Sequence, residues 1–95
     1  MRKYEIMYIL KANLEEAVRQ ETMDGLHAII TSHEGTIENV NEWGLKEFAY
    51  EIDYEKKGYY VVINVTANNE GIAEFDRLAR INHNVVRFLI VKEEA

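Results

Sequence analysis

The sequence predicts one α+β domain: a four-stranded antiparallel sheet with two helices packed on one of its faces. Three observations carry that prediction. Apolar and polar residues alternate with a period of two at the start of the chain and again over residues 59–66, the signature of strands. Two other segments repeat apolar residues at helical spacing. The resulting order is βαββαβ, and right-handed crossovers then put both helices on the same side of the sheet. A chain of 95 residues fits a single domain, 1–95, and 47% hydrophobic residues suffice for a small core.

The first strand is Tyr4, Glu5, Ile6, Met7, Tyr8, Ile9, Leu10. Tyr4, Ile6, Tyr8 and Leu10 share one face; Lys3, Glu5, Met7 and Ile9 share the other. Asn13 reads as a helix N-cap, with Glu16 three residues later completing an approximate capping box. Leu14, Val18, Leu26, Ile29 and Ile30 form the first helical stripe, which Thr22 and Gly25 weaken. Gly35 supplies the stop, in a left-handed conformation. Residues 36–52 form a long strand whose apolar residues change parity, so a bulge is expected near Gly44 or just after it. Residues 53–58 are a charged turn. In the third strand Tyr59, Val61, Ile63 and Val65 face the core, because Asn64 and Thr66 mark the even positions as outward. Asn68 or Asn69 caps a second helix with the stripe Ile72, Phe75, Leu78, Ala79. Residues 82–84 break it, residues 85–91 form the last strand, and a short polar tail follows. This is the ferredoxin-like arrangement, with strand order 4-1-3-2.

Composition excludes several kinds of chemistry. With no cysteine there is no disulfide framework, thiolate nucleophile or cysteine zinc site, which fits a reducing cytoplasm. No apolar run approaches the ~18 residues of a membrane span, and the N-terminus lacks a signal peptide's apolar block. His27 and His33 are six apart and do not share a helix face, and none of His27, His33 and His83 sits in a ligand motif, so no metal is expected. The acidic pairs Glu15–Glu16, Glu93–Glu94 and Asp53 with Glu55 read as solvated charge, the first also suiting a helix N-terminus. The five glycines are dispersed, so no loop cradles a nucleotide phosphate. No cofactor is expected.

Nucleic acid is the more informative question. Lys57, Gly58, Tyr59 and Val62 match part of the RRM motif of a third strand, yet Tyr59 and Val61 turn toward the helices, where they cannot stack on bases. A net charge of −6 also opposes phosphate binding unless the cations are grouped or a basic partner shares the work. Arg2, Lys3, Arg87 and Lys92 are expected toward one margin of the sheet, where strands four and one are neighbours, although antiparallel geometry limits how closely all four approach. On the face away from the helices, Met7, Ile9, Tyr60, Val62, Leu89 and Val91 form an uncovered apolar patch of the kind that takes a partner.

Together these segments resemble the bacterial small-subunit ribosomal protein six family along essentially the whole chain. The resemblance rests on Met1 through Leu10 as the first strand and Trp43-Gly44 with Ala49-Tyr50-Glu51-Ile52 in the second. Gly58-Tyr59-Tyr60 opens the third, and Glu74 through Ile81 with Val85-Val86-Arg87 completes the pattern. It implies a cytoplasmic, ribosome-associated structural protein, not an enzyme. It also implies binding to the central domain of 16S ribosomal RNA as a heterodimer with ribosomal protein eighteen, a basic partner. Arg2 matches the family's N-terminal basic position and is the first RNA-contact candidate; Lys3, Lys56, Arg80, Arg87 and Lys92 follow. The chain departs from the pattern where Leu45, Lys46, Glu47 and Phe48 replace a basic cluster, and where Ala12 stands in place of a common proline. It has no long acidic extension, so modification of such a tail is not expected. The alternatives are an acylphosphatase-like enzyme, which needs an Arg and an Asn converging on a phosphate loop, and a small-molecule-sensing module. No glycine-rich loop follows strand one, where Lys11-Ala12-Asn13 leads into the helix.

Overall fold

The computed structural model describes residues 1–52 and 55–93. Six elements follow one another: β1 Arg2–Lys11, α1 Glu16–Ser32, β2 Thr36–Ile52, β3 Glu55–Ala67, α2 Asn69–Ile81 and β4 Val85–Lys92. They form one antiparallel sheet in the order β2-β3-β1-β4, as the crossover argument requires. The central strands pair without a break from Arg2 opposite Ala67 to Lys11 opposite Gly58.

The period-two reading of β1 and β3 holds. Tyr4, Ile6, Tyr8 and Leu10 join Val61, Ile63 and Val65 in the core, where Met23, Leu26 and Ile30 of α1 and Phe75 and Ala79 of α2 cover them. Phe75 is fully buried and meets Phe88 edge-to-face at 6.2 Å. Tyr59 packs partly buried against the same cluster. Each large apolar side chain removed from water here contributes roughly 1.5–3 kcal/mol.

Local details differ from the sequence reading. Helix α1 begins at Glu16 after an extended Glu15, with no side-chain cap, so Asn13 is not its N-cap. The reason is at the end of β1: the Lys11 amide donates to the Asn84 carbonyl (3.0 Å), which holds β1 in the sheet to Lys11 and leaves residues 12–13 as a turn. Val18 is 39% exposed and Met23 takes the core position instead. The polar Thr22 has a use, accepting a hydrogen bond from Asn84 Nδ2 (3.1 Å).

At the end of α1 the left-handed residue is Glu34 (φ 66°), not Gly35. Gly35 serves a close approach: a Cβ there would lie 2.8 Å from the Ile30 carbonyl oxygen and 2.9 Å from that of Thr66. Asn68 caps α2, its side chain accepting from the Gly71 amide (2.7 Å) and donating to the His33 carbonyl (3.1 Å). Strand β3 starts at Glu55, so residues 55–58 are strand rather than turn; Asp53 lies outside the described residues.

Candidate protein and nucleic-acid interface

Among the described residues no helix or strand lies over the face of the sheet away from the helices. Met7, Ile9, Tyr60, Val62, Leu89 and Val91 all share it, in the registers Met7–Val62, Ile9–Tyr60 and Met7–Leu89. Leu89 and Val91 are 55% and 47% exposed. Ile9 and Val62 are not uncovered, as parity alone had them, but only 5% and 8% exposed.

Their cover comes from β2. Gly44 (φ 87°) stands at a break in the β2–β3 register between Glu42 and Gly44, the bulge expected there. The extra residue is Trp43, which stacks almost parallel to Tyr60 (9°, ring centroids 6.3 Å apart). Phe48 meets the same Tyr60 ring edge-on at 6.1 Å. Gly58 makes this possible: a Cβ on it would strike Ile9 Cγ2 and lie 2.7 Å from Phe48 Cζ. Trp43 stays 48% exposed. It forms one wall of a shallow cleft of about 230 Å3, shared with Met7, Val62, Leu89 and Val91 and edged by Glu5, Asn41 and Asn64.

Charge divides this face in two. At one end Asn64 Nδ2 donates to Glu93 Oε1 (2.9 Å) and to Glu5 Oε2 (3.5 Å), and Glu38 Oε1 accepts from Thr66 (2.5 Å). At the other end Lys46, Gly58 and Lys11 are in register across three strands. With strands about 4.8 Å apart, the two lysines flank Gly58 at a backbone separation of roughly 10 Å. Lys56 is two residues from Gly58 on the same face, and Arg87 stands opposite Ile9. Arg87 therefore does not converge with Arg2 and Lys3. It lies seven residues along β1 from Arg2, about 23 Å away.

Arg2 and Lys92 do gather, at the far end of β1 and β4 on the helix side of the sheet, where Lys92 is opposite Tyr4, whereas Lys3, opposite Thr66, is on the open face. All six cations picked from the sequence are exposed. Arg80 is partly spent: its guanidinium binds Asp76 (2.6 Å) and lies 5.6 Å over the Phe88 ring. Lys11 and Lys46 were missed, since only the β2–β3–β1 register brings them together. Trp43 was missed as a wall of the cleft although its Trp-Gly bulge was legible.

The helix-side aromatics are engaged elsewhere. Tyr59 donates to Glu42 Oε1 (2.8 Å) beneath the Arg19 guanidinium, 4.3 Å from its ring, and Val61 is fully buried, so neither stacks on a base. Tyr8 is hydrogen-bonded to His27 Nε2 (2.7 Å). Burial pushes the Tyr8 phenol well up and the His27 imidazole down, so the pair is a protonated phenol beside a neutral ring. His33 bonds the Ile29 carbonyl (2.9 Å). Among the described residues no group of three or more His, Asp or Glu is placed to hold a metal, and no helix is long and apolar enough to cross a membrane. The pairs Asp53–Glu55 and Glu93–Glu94 each have a member outside the described residues.

Comparison with known proteins agrees with this fold. The profile of the family described as Ribosomal protein S6 matches residues 3–92. The small ribosomal subunit protein bS6 of Halalkalibacterium halodurans is 50% identical over 94 residues, 99% of each chain. The crystal structure of 30S ribosomal protein S6 from Thermotoga maritima superposes with a TM-score of 0.91 at 28% identity, covering 97% of this chain and 87% of that one.

Proposed function

Because the chain belongs to the ribosomal protein S6 family of the small ribosomal subunit, we propose that it binds the central domain of 16S ribosomal RNA as a heterodimer with ribosomal protein eighteen. Members of this family are structural proteins of the ribosome, not enzymes. The division of labour on the open sheet face carries the reading. Its apolar middle, Met7, Ile9, Tyr60, Val62, Leu89 and Val91 with Trp43, is a surface for protein, because stacked and aliphatic side chains without cations among them give phosphate nothing to bind.

Lys56 and Arg87 on the open face, and Arg2 and Lys92 on the helix side of the far end, are the RNA contacts; Lys3, beside Glu5, and Arg80, paired with Asp76, are weaker ones. These are backbone contacts that position RNA without reading sequence. These few separated cations are a small footprint for an acidic protein, so the basic partner supplies the remaining charge.

The test is a salt titration of binding to a central-domain RNA fragment, with and without ribosomal protein eighteen. Weak binding alone and tight, strongly salt-dependent binding by the pair support the proposal. Absence of binding by the folded pair to RNA that other central-domain proteins recognise overturns it.

A further inference from the structure

We infer that the cleft beside Trp43 accepts one particular element of the protein partner: a segment with an apolar anchor and an arginine or lysine next to it. The inference rests on the reading of the open sheet face as the protein-partner surface and goes on to its chemistry. Two independent features of the cleft fix the occupant.

The first is apolar shape. Met7, Trp43, Val62, Leu89 and Val91 enclose about 230 Å3, enough for one aliphatic side chain, and Trp43, Leu89 and Val91 remain about half exposed without a cover. The second is the sign of the charge at its rim. Glu5 and Glu93 are brought together by the single amide of Asn64, which donates to both. Two carboxylates drawn onto one donor repel each other, and among the described residues neither is in an ion pair. Lys3 is the neighbouring cation on this face, one charge against the two. A cation arriving from a partner would complete the balance, and the exposed indole face of Trp43 beside it favours the same sign.

The occupant is therefore basic and amphipathic. An RNA strand does not fit, because its phosphates would face Glu5 and Glu93. The polarity of docking is also set: the partner's cation points to the Glu5–Glu93 end, leaving the Lys11, Lys46, Lys56, Arg87 end open to phosphate.

The experiment is calorimetric titration of the full chain with purified ribosomal protein eighteen at low and moderate salt, using two variants. Leu89→Asp removes the apolar wall; Glu5→Lys with Glu93→Lys reverses the rim. All three positions are exposed, and unchanged thermal unfolding of the free variants confirms that the fold is intact. Both variants should weaken binding, the rim reversal by about tenfold at low salt and less at moderate salt. Loss with Leu89→Asp but none with the rim reversal overturns the cationic occupant and leaves the face reading standing. Full affinity in both variants removes the face from the interface altogether. Protection of Trp43 by RNA alone overturns the assignment to a protein.

Discussion

Replacing Gly58 by alanine should damage the open sheet face from within, and the size of the effect follows from what the new methyl meets. It would strike Ile9 Cγ2, and it would lie 2.7 Å from Phe48 Cζ. Phe48 is a ring tip and can swing away. The Ile9 methyl cannot yield as easily, because it is attached to a β-branched Cβ with one favoured rotamer inside a central strand. Overpacking of this kind costs about 1–3 kcal/mol. The Gly58 backbone is not in the left-handed region, so alanine regains about 0.4–1 kcal/mol by restricting the unfolded chain. The net loss is about 1–2 kcal/mol, a fall in Tm of roughly 5–15 °C for a domain of this size. The assay is a double-mutant cycle by thermal or urea unfolding with Ile9→Ala, which deletes the struck methyl. The double variant should be more stable than the sum of the single effects by about 1 kcal/mol or more. Gly25→Ala is the control: nothing lies within 4 Å of its Cβ, and in mid-helix it should stabilise by about 0.5–1 kcal/mol. Additive effects of Gly58→Ala and Ile9→Ala, within about 0.5 kcal/mol, would refute the contact as the cause.

Other outcomes follow from the same structure. Arg2→Ala should weaken RNA binding by the heterodimer and lower the salt slope by about one, leaving Tm unchanged; identical affinities across the salt series would take Arg2 out of the interface. Burial lowers the His27 pKa below 6.5, so the unfolded chain takes the proton first: its contribution to stability is complete above that value and is lost as pH falls through it. Melting followed from pH 8 to 5 should therefore show a decline that His27→Gln reduces, and an equal decline in both proteins would place its origin elsewhere. Asn68→Ala removes the cap on the Gly71 amide and the bond to the His33 carbonyl, and should cost about 1–2 kcal/mol in urea unfolding.

What was legible in the sequence was what depends on local periodicity. Strand β1 and strand β3 alternate cleanly, so the core face, the open face and the absence of a base-stacking Tyr59 all follow from counting by twos. The N-cap was misplaced because a long-range bond, Lys11 to Asn84, decides where β1 ends. The left-handed turn was misplaced because Gly35 is required for close approach to Ile30 and Thr66 rather than for its φ. The burial of Ile9 and Val62 was hidden for a third reason. Their cover is Phe48 and Trp43, on a strand whose register shifts three times against β3, and no parity rule survives three shifts.

The same register explains how an acidic chain can serve in a ribonucleoprotein. A net charge of −6 counts every residue equally, whereas phosphate responds to the charges within about 8–10 Å of it at physiological salt. Part of the acidic charge lies elsewhere: Glu16, Glu21 and Asp24 are exposed on α1, on the opposite side of the sheet from Lys11, Lys46, Lys56 and Arg87, while Glu47 and Glu51 line a groove with Lys56 and Lys57. Antiparallel pairing assembles those four cations from four different strands, none of which is basic enough alone to mark a site. Glu5 and Glu93 then sit at the opposite end of the face, beyond the apolar middle. The face therefore carries opposite signs at its two ends, and under the proposed heterodimer a uniformly basic protein of this size would have no carboxylate rim with which to orient a basic partner.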